Sequence, residues 1–166
     1  KVCHGEDEPL YQQDDFISTE QNIVQTLNGN IEFPTPETFV QALHIDMDLT
    51  DFITYSNFFM DVSLTSNEFG KYPPQFVAAA ALVLGAAGSK RSFNIHKLMR
   101  LVHLDNPNII FDISLQLCNF SSMAVNQSKG RNYAIYSQQV SIPLPEVVEN
   151  ATQYINYHRS LNVPHA

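Results

Sequence analysis

The sequence predicts an all-α protein, and three observations support that fold class. Residues 71–90 hold an apolar run with four consecutive alanines at 78–81, and alanine favours helix over strand. Several further segments repeat apolar residues at the three- and four-residue spacing of a helix. No segment shows the sustained alternation of a half-buried strand, and Asn28-Gly29 follows a helical pattern. We therefore expect five or six helices around a buried, alanine-rich one.

The helices are predicted in chain order from periodicity and from local start and stop signals. The first spans about 11–28 and ends in the turn at 28–30. The second begins at Pro36, because Thr35 is a suitable N-cap and proline is favoured at the first helical position. The remaining helices are expected at about 48–67, 74–87, 93–102, 109–125 and 132–138. From Glu146 onward we expect a weakly packed tail.

The segment 74–87 is predicted to be the central helix of the domain. Its faces are nearly all Ala, Val or Leu, so we expect it to be buried on every side. Alanine side chains also let neighbouring helices approach closely. We expect Gly88 to end this helix, because glycine commonly follows the last helical residue.

The same stretch raises the alternative of a phosphate-binding loop, since glycines and a lysine follow an apolar run. Such a loop needs the pattern G-x-x-x-x-G-K-[ST], which wraps backbone N–H groups around the phosphates. Here Gly85 and Gly88 are three residues apart, Ser89 separates Gly88 from Lys90, and Arg91 stands where the hydroxyl is required. The pattern fails at two positions, so no nucleotide site is predicted.

Other kinds of chemical site are not predicted either. His96 and His103 stand seven residues apart, which is too far for a shared metal ion. The adjacent Asp14 and Asp15 lie near a helix start, where the macrodipole stabilises carboxylates. Cys118 has neither a nucleophile motif around it nor a histidine tied to it by the sequence. We expect no catalytic residue, no metal and no cofactor.

Composition limits the class of protein and the kind of partner. The 166 residues fit one domain, or one domain with appended segments, and 44% of them are apolar. The net charge of −8 opposes a nucleic-acid-binding surface, and no apolar run is long enough to span a membrane. Cys3 and Cys118 form no disulfide framework, which fits a reducing compartment. Because the chain lacks an initiating Met, we expect it to be a fragment.

Three motifs in order resemble the second half of a cyclin. They are the Glu-x(6)-Leu pattern at Glu20 and Leu27, the Pro-Thr-Pro sequence at 34–36, and the signature KYPPQFVAAAA at 71–81. The likeness covers about residues 11–140 and is strongest to the cell-cycle (A/B-like) cyclins. It implies a cyclin-like five-helix box around the buried Ala-rich helix. Residues 1–30 would then be the end of an N-terminal box, residues 31–140 the C-terminal box and residues 141–166 a tail.

The resemblance also implies a function. Cyclins are not enzymes but regulatory subunits that bind and activate a cyclin-dependent Ser/Thr protein kinase. The positions that match kinase contacts of the family are Glu20, Val24 and Ile31, and Phe16 lies one turn before Glu20 on the same face. The sequence departs from the family at Gly29, where a bulky aromatic is usual.

The partner implied by the resemblance is the kinase, in a heterodimer, with kinase substrates or inhibitors as further partners. Nucleic acid and membrane are not expected as partners, and the expected location is the nucleus and cytoplasm. An alternative within the same fold is a scaffold of the transcription machinery that binds protein or nucleic acid, although the charge of −8 opposes contact with DNA.

Overall fold

The described part of the protein is helical. The computed structural model describes residues 11–30, 33–47, 52–126 and 131–161, and no strand occurs in these ranges. The chain divides into two compact units, Lys1–Phe33 and Pro34–Ala166. The helices are α1 (Gln13–Thr26), α2 (Pro36–Met47), α3 (Ile53–Ser63), α4 (Pro74–Gly88), α5 (Ile95–Leu101), α6 (Asn108–Asn126), α7 (Arg131–Tyr136) and α8 (Leu144–Leu161), with a 3-10 turn at Asn67–Phe69. The predicted all-α class is confirmed.

Helix α1 belongs to the first unit, and local hydrogen bonds define both of its ends. The backbone N–H of Gln12 donates to the Asp15 carboxylate at 2.8 Å, which caps the first turn. At the other end, Asn28 and Gly29 both adopt positive φ, at 51° and 72°. The Gly29 N–H donates to the Val24 carbonyl at 2.9 Å, which closes the helix with the usual left-handed cap. The predicted turn at 28–30 therefore ends α1.

Helix α4 is the centre of the second unit. Its residues from Val77 to Ala86 are all buried, and α4 packs against α2, α3, α6 and α8. At Gly85 a Cβ atom would overlap the Ser56 side chain and lie 2.7 Å from the Ser56 backbone nitrogen. Helices α3 and α4 therefore touch backbone to backbone at this point. The prediction of a buried, Ala-rich central helix is confirmed.

The predicted end of α4 at Gly88 is wrong by a short distance and for an informative reason. Gly88 is still helical, and a Cβ there would lie 2.5 Å from Val147 Cγ1 on α8. The helix is closed instead by Lys90, which has a φ of 56° and donates its N–H to the Ala87 carbonyl at 3.1 Å. Gly88 is required by the close approach of α8 and not by the cap.

The weakly packed tail predicted from Glu146 is wrong for residues 146–161. These residues form most of α8, which packs against α4 and α6. Its buried side chains recur at three- and four-residue spacing and are Leu144, Val147, Val148, Ala151 and Ile155. Pro143 and Pro145 do not interrupt this helix, because they stand just before and within its first turn, where backbone N–H groups have no intrahelical partner.

The predicted helix at 48–67 is shorter in the structure. Residues 48–51 lie outside the described part, α3 ends at Ser63, and the 3-10 turn follows. Side-chain hydroxyl groups bind backbone groups at this helix end. Thr65 Oγ1 donates to the Val62 carbonyl at 2.7 Å, and Ser66 Oγ accepts from the Glu68 N–H at 3.2 Å. The other helices lie within a few residues of their predicted bounds. The bounds of the two predicted boxes, 1–30 and 31–140, stay a prediction.

Two tyrosines of the second unit join distant parts of the chain. The Tyr136 hydroxyl donates to Asp61 Oδ2 at 2.7 Å and ties α7 to α3. The Tyr55 hydroxyl accepts from the Ile142 N–H at 3.1 Å and lies 3.1 Å from Ser141 Oγ. Helix α3 therefore holds both α7 and the segment that leads into α8.

Candidate functional site

Three of the four predicted kinase-binding residues lie along one side of α1. Phe16, Glu20 and Val24 follow one another at four-residue spacing, which places them on successive turns of the same face. All three residues are exposed, and the exposed fraction is 54% for Phe16 and 43% for Val24. The fourth residue, Ile31, lies outside the described residues. Exposed apolar side chains on one helical face are typical of a binding surface.

The apolar face of α1 extends beyond these three residues. Ile23 and Leu27 follow Phe16 at seven and eleven positions, and both are exposed. None of the residues of α1 is buried. An isolated amphipathic helix of this length is marginal in water, because most helical stability in proteins comes from packing of the apolar face.

A groove of about 460 Å³ runs along the first turns of this helix. It is lined by Tyr11, Asp15, Phe16, Thr19, Glu20 and Ile23. The Tyr11 and Phe16 rings meet edge to face with centroids 6.0 Å apart. Sequence reasoning did not assign Tyr11 or Ile23 to the site. The seven-residue spacing of Phe16 and Ile23 was the available signal for Ile23, whereas Tyr11 precedes the helix and has no periodicity to place it.

The charge on this helix is entirely negative. Residues 11–30 contain Asp14, Asp15 and Glu20 and no Lys, Arg or His. Asp15 and Glu20 both border the groove. The Glu20 carboxylate has no hydrogen-bond or ion-pair partner within the part of the chain that the structure describes. This arrangement is suited to binding a partner that carries apolar groups and positive charge.

The backbone conformation at position 29 explains why glycine stands where the cyclin pattern has an aromatic residue. Its φ of 72° lies in the left-handed region, which glycine adopts without strain and other residues disfavour. A Cβ at this position would meet no atom within 4 Å, so the backbone conformation and not space favours glycine. The absence of the usual aromatic therefore accompanies a helix cap that an aromatic residue would strain.

The alternative sites are not formed in the described residues. The stretch from Gly85 to Gly88 is α-helical and does not form a loop around a phosphate, and Lys90 Nζ lies 3.5 Å from Glu146 Oε1. No group of three His, Cys, Asp or Glu residues that could hold a metal ion occurs there. Burial raises the pKa of the Cys118 thiol to about 11, so it is a poor nucleophile near neutral pH.

The second unit defines the class of the protein. Within it, α2, α3 and α6 pack against the buried α4, and α5 packs against α2, in an all-α domain. The family described as "Cyclin, C-terminal domain" matches residues 34–142, which include these five helices and α7. The chain belongs to the cyclin family, and the predicted five-helix cyclin box around the Ala-rich helix is confirmed.

The chain is also similar to a particular cell-cycle cyclin. It is 32% identical over 81 residues to the G2/mitotic-specific cyclin-B3 of Mus musculus. The aligned region is 46% of this chain and 6% of that protein, so the chain spans a small part of its relative. No solved structure matches the chain. Among the described helices, none combines the length and the hydropathy that a bilayer span requires.

Proposed function

We propose that this protein is a non-catalytic regulatory subunit that binds and activates a cyclin-dependent Ser/Thr protein kinase in cell-cycle control. The observation that carries the proposal is the exposed face of α1, on which Phe16, Glu20 and Val24 lie together. Membership of the cyclin family and similarity to a protein named as a G2/mitotic-specific cyclin support it.

The proposed interface uses two kinds of contact. Phe16 and Val24 supply apolar area that becomes buried against the kinase, and aromatic residues are enriched among those that dominate binding energy. Glu20 supplies a charged hydrogen-bond acceptor that orients the partner. Binding would hold the kinase helix that carries the glutamate of its Lys–Glu pair in the active position.

The test is capture and activation of a cyclin-dependent kinase by the 166-residue chain and by the longest form of the protein. We expect the longer form to activate the kinase more strongly, because the resemblance places most kinase contacts in the N-terminal box, of which this chain would hold only the last helix. Phe16→Ala should weaken binding by about 2 kcal/mol, a roughly 30-fold rise in Kd, and Glu20→Ala by roughly tenfold. The matched control is Gln25→Ala, because Gln25 lies on the opposite face of α1.

Failure of both forms to bind any cyclin-dependent kinase would contradict the proposal. Equal effects of Phe16→Ala and Gln25→Ala would contradict the assignment of the face while leaving kinase binding in place. We further propose that the protein acts in the nucleus and cytoplasm, that kinase substrates or inhibitors are additional partners, and that nucleic acid is not a partner. Salt-sensitive DNA binding at physiological ionic strength would overturn the last statement.

A further inference from the structure

We propose that a pocket in the second unit, between the end of α4, the loop that follows it and α8, binds an acidic peptide segment of a partner protein. In this segment a Glu or Asp side chain lies next to an apolar one. The inference goes beyond the proposed function, because every residue that lines the pocket belongs to the second unit and none to α1.

The lining of the pocket has an apolar part and a polar part. Val83 and Ala87 of α4, Phe93 of the loop and Tyr154 of α8 supply apolar surface. Val83 is 1% exposed, whereas residues 90–92 are polar and exposed, so the apolar surface lies deeper. The volume of about 560 Å³ is within the range of about 300–1,000 Å³ that is common for ligand pockets. An apolar side chain therefore fits inside while its neighbours in the peptide reach the outer residues.

Hydrogen bonds and ring packing fix the walls of the pocket in place. The Arg91 N–H donates to a carbonyl of the last turn of α4 at 2.9 Å. The Phe93 ring packs edge to face on Phe52, with centroids 6.1 Å apart. On the other side, Asn150 Nδ2 donates to the Gly88 carbonyl at 3.2 Å and joins α8 to the end of α4. A site that is already formed loses less free energy on ordering when a ligand binds.

The charge of the lining identifies the polar part of the ligand. Lys90 and Arg91 are the only adjacent pair of Lys or Arg residues in the sequence, and both line the pocket. No Asp or Glu is among the lining residues, although the chain has 17 acidic residues against nine Lys and Arg. Complementary charge steers association and excludes partners of like charge. A negatively charged group beside the apolar one is therefore favoured.

Two carboxylates just outside the pocket favour a ligand group with a single negative charge. Lys90 Nζ lies 3.5 Å from Glu146 Oε1, and Gln153 Nε2 donates to Glu149 Oε1 at 3.2 Å. A phosphate carries about two negative charges and is repelled more strongly by these carboxylates than a Glu or Asp side chain is. The exposed pair of Lys90 and Glu146 contributes little by itself, so Lys90 remains available to a second carboxylate.

The amide side chains of the lining suit a peptide. Asn150 and Gln153 both line the pocket, and each amide carries two N–H donors and an acceptor oxygen. Peptide backbones present the same two kinds of group in alternation. Nucleic acid fits less well, because its repeated phosphates would meet Glu146 and Glu149 as well as the two cations.

The experiment is an NMR titration of the 166-residue chain with the capped peptide acetyl-Ser-Glu-Leu-Glu-Phe-Ser-amide. We expect the amide signals of Arg91, Ser92 and Gln153 to shift, because these residues line the pocket. The same peptide with Gln in place of both Glu residues should bind at least fivefold more weakly at low salt. That difference should shrink at high salt, because exposed charges are screened.

Charge variants of the protein test the cations directly. Arg91→Gln and Lys90→Gln should each weaken binding of the acidic peptide by roughly three- to tenfold. The matched control is Arg100→Gln, because Arg100 is also exposed but does not line the pocket. Its Kd should stay within twofold of the unmodified chain. Thermal unfolding followed by circular dichroism checks that all variants are folded.

Several outcomes would overturn the inference. They are the absence of shifts around the pocket, equal binding of the Glu and Gln peptides, and equal effects of Arg91→Gln and Arg100→Gln. Tighter binding of a peptide with phosphoserine in place of Glu would assign the pocket to phosphate instead. Self-association that Arg91→Gln abolishes would assign it to a second copy of the chain. None of these outcomes bears on kinase binding, which Phe16→Ala tests separately.

Discussion

The hydroxyl of Tyr136 links two helices of the second unit through one hydrogen bond. The Tyr136 ring is buried beside Phe58, with centroids 5.9 Å apart, and its hydroxyl reaches Asp61 on α3. Burial and the hydrogen bond to Asp61 both raise the pKa of Tyr136, so the group stays protonated and remains a donor at all ordinary pH values. The short helix α7 is thereby attached to α3.

We predict that Tyr136→Phe lowers the free energy of unfolding by about 1.5 kcal/mol, because a hydrogen bond to a charged group is lost while the buried ring is kept. Urea unfolding followed by circular dichroism measures the change. Tyr157→Phe is the matched control, since that residue is exposed and makes no hydrogen bond through its hydroxyl within the described residues. Equal stability of Tyr136→Phe and Tyr157→Phe would show that the contact with Asp61 contributes nothing.

The buried thiol of Cys118 predicts that the free energy of unfolding depends on pH. Burial raises its pKa from 9.0 to about 11, with a smaller opposing effect of a hydrogen bond to Thr152. Between these values the unfolded chain loses the proton and the folded chain keeps it, so the free energy of unfolding falls as pH rises through this window. Below pH 9 the contribution of the neutral thiol is complete.

Two measurements check this prediction. In a Cys3→Ser background, Cys118 should react with a thiol reagent at pH 8 only when the chain is unfolded, because the thiolate is the reactive species. The fall in stability between pH 9 and pH 11 should be smaller in Cys118→Ala than in the unmodified chain. Rapid labelling of folded Cys118 at pH 8, or identical pH profiles of the two chains, would contradict the burial described above.

At the scale of elements, the packing of α4 depends on two glycines as well as on its alanines. Gly85 faces the backbone of Ser56 on α3, and Gly88 faces Val147 on α8. The absence of a side chain at these two positions lets α3 and α8 approach α4 closely. Glycine inside a helix normally destabilises it by about 0.5–1 kcal/mol relative to alanine, so the close contacts must compensate.

We predict that Gly85→Ala destabilises the second unit by about 2 kcal/mol, although alanine is the better helix former. The added methyl would overlap Ser56 and force α3 away from α4. The midpoint of thermal or urea unfolding measures the effect. Gly70→Ala is the matched control, because its Cβ would meet only the Asn67 carbonyl at 3.4 Å. An increase in stability for Gly85→Ala would mean that helix propensity dominates and that the helices are not in close contact.

The accuracy of the predicted elements follows from how local their signals are. The helix propensity of alanine and a proline at the first helical position are signals that depend only on neighbouring residues. They predict α4 and α2, and both helices begin where the sequence indicates, at Pro74 and Pro36. The expected tail from Glu146 does not include helix α8, although the apolar spacing of Val147, Val148, Ala151 and Ile155 is visible in the sequence. The role of Gly88 was not predictable, since only the position of Val147 reveals it.

The residues of the candidate site also differ in whether local sequence signals predict them. Motif positions and helical spacing predict Phe16, Glu20 and Val24 as site residues, and the structure places them on one exposed face. Their role in binding stays a prediction. Tyr11 could not, because its contact with Phe16 depends on the path of the chain before the first helical residue. The glycine at position 29 was recognised as a departure, but its positive φ is a property of the folded cap.

On the scale of the whole molecule, α8 makes the second unit extend beyond the matched cyclin region at 34–142. Four large apolar side chains of α8 are buried against α4 and α6, and they are Leu144, Val147, Val148 and Ile155. Burial of each contributes about 1.5–3 kcal/mol. Together they are comparable with the net stability of a whole domain, about 5–15 kcal/mol.

We predict that a chain of residues 34–161 folds and unfolds cooperatively, whereas a chain of residues 34–142 does not. Removal of α8 would expose the faces of α4 and α6 that it covers. Circular dichroism melting and the binding of a hydrophobic dye measure the difference. A cooperative transition of 34–142 at the same temperature as 34–161 would show that α8 is dispensable for the core.

Helix α8 also constrains the order of events during protein synthesis. The nascent chain makes α4 early, but the surface that covers one side of α4 is translated about 60 residues later, at 144–155. Until α8 has been made, one apolar side of α4 stays uncovered, and transiently exposed apolar surface of this kind favours aggregation. A chain that ends before Ile155 would therefore leave part of the apolar surface of α4 and α6 uncovered.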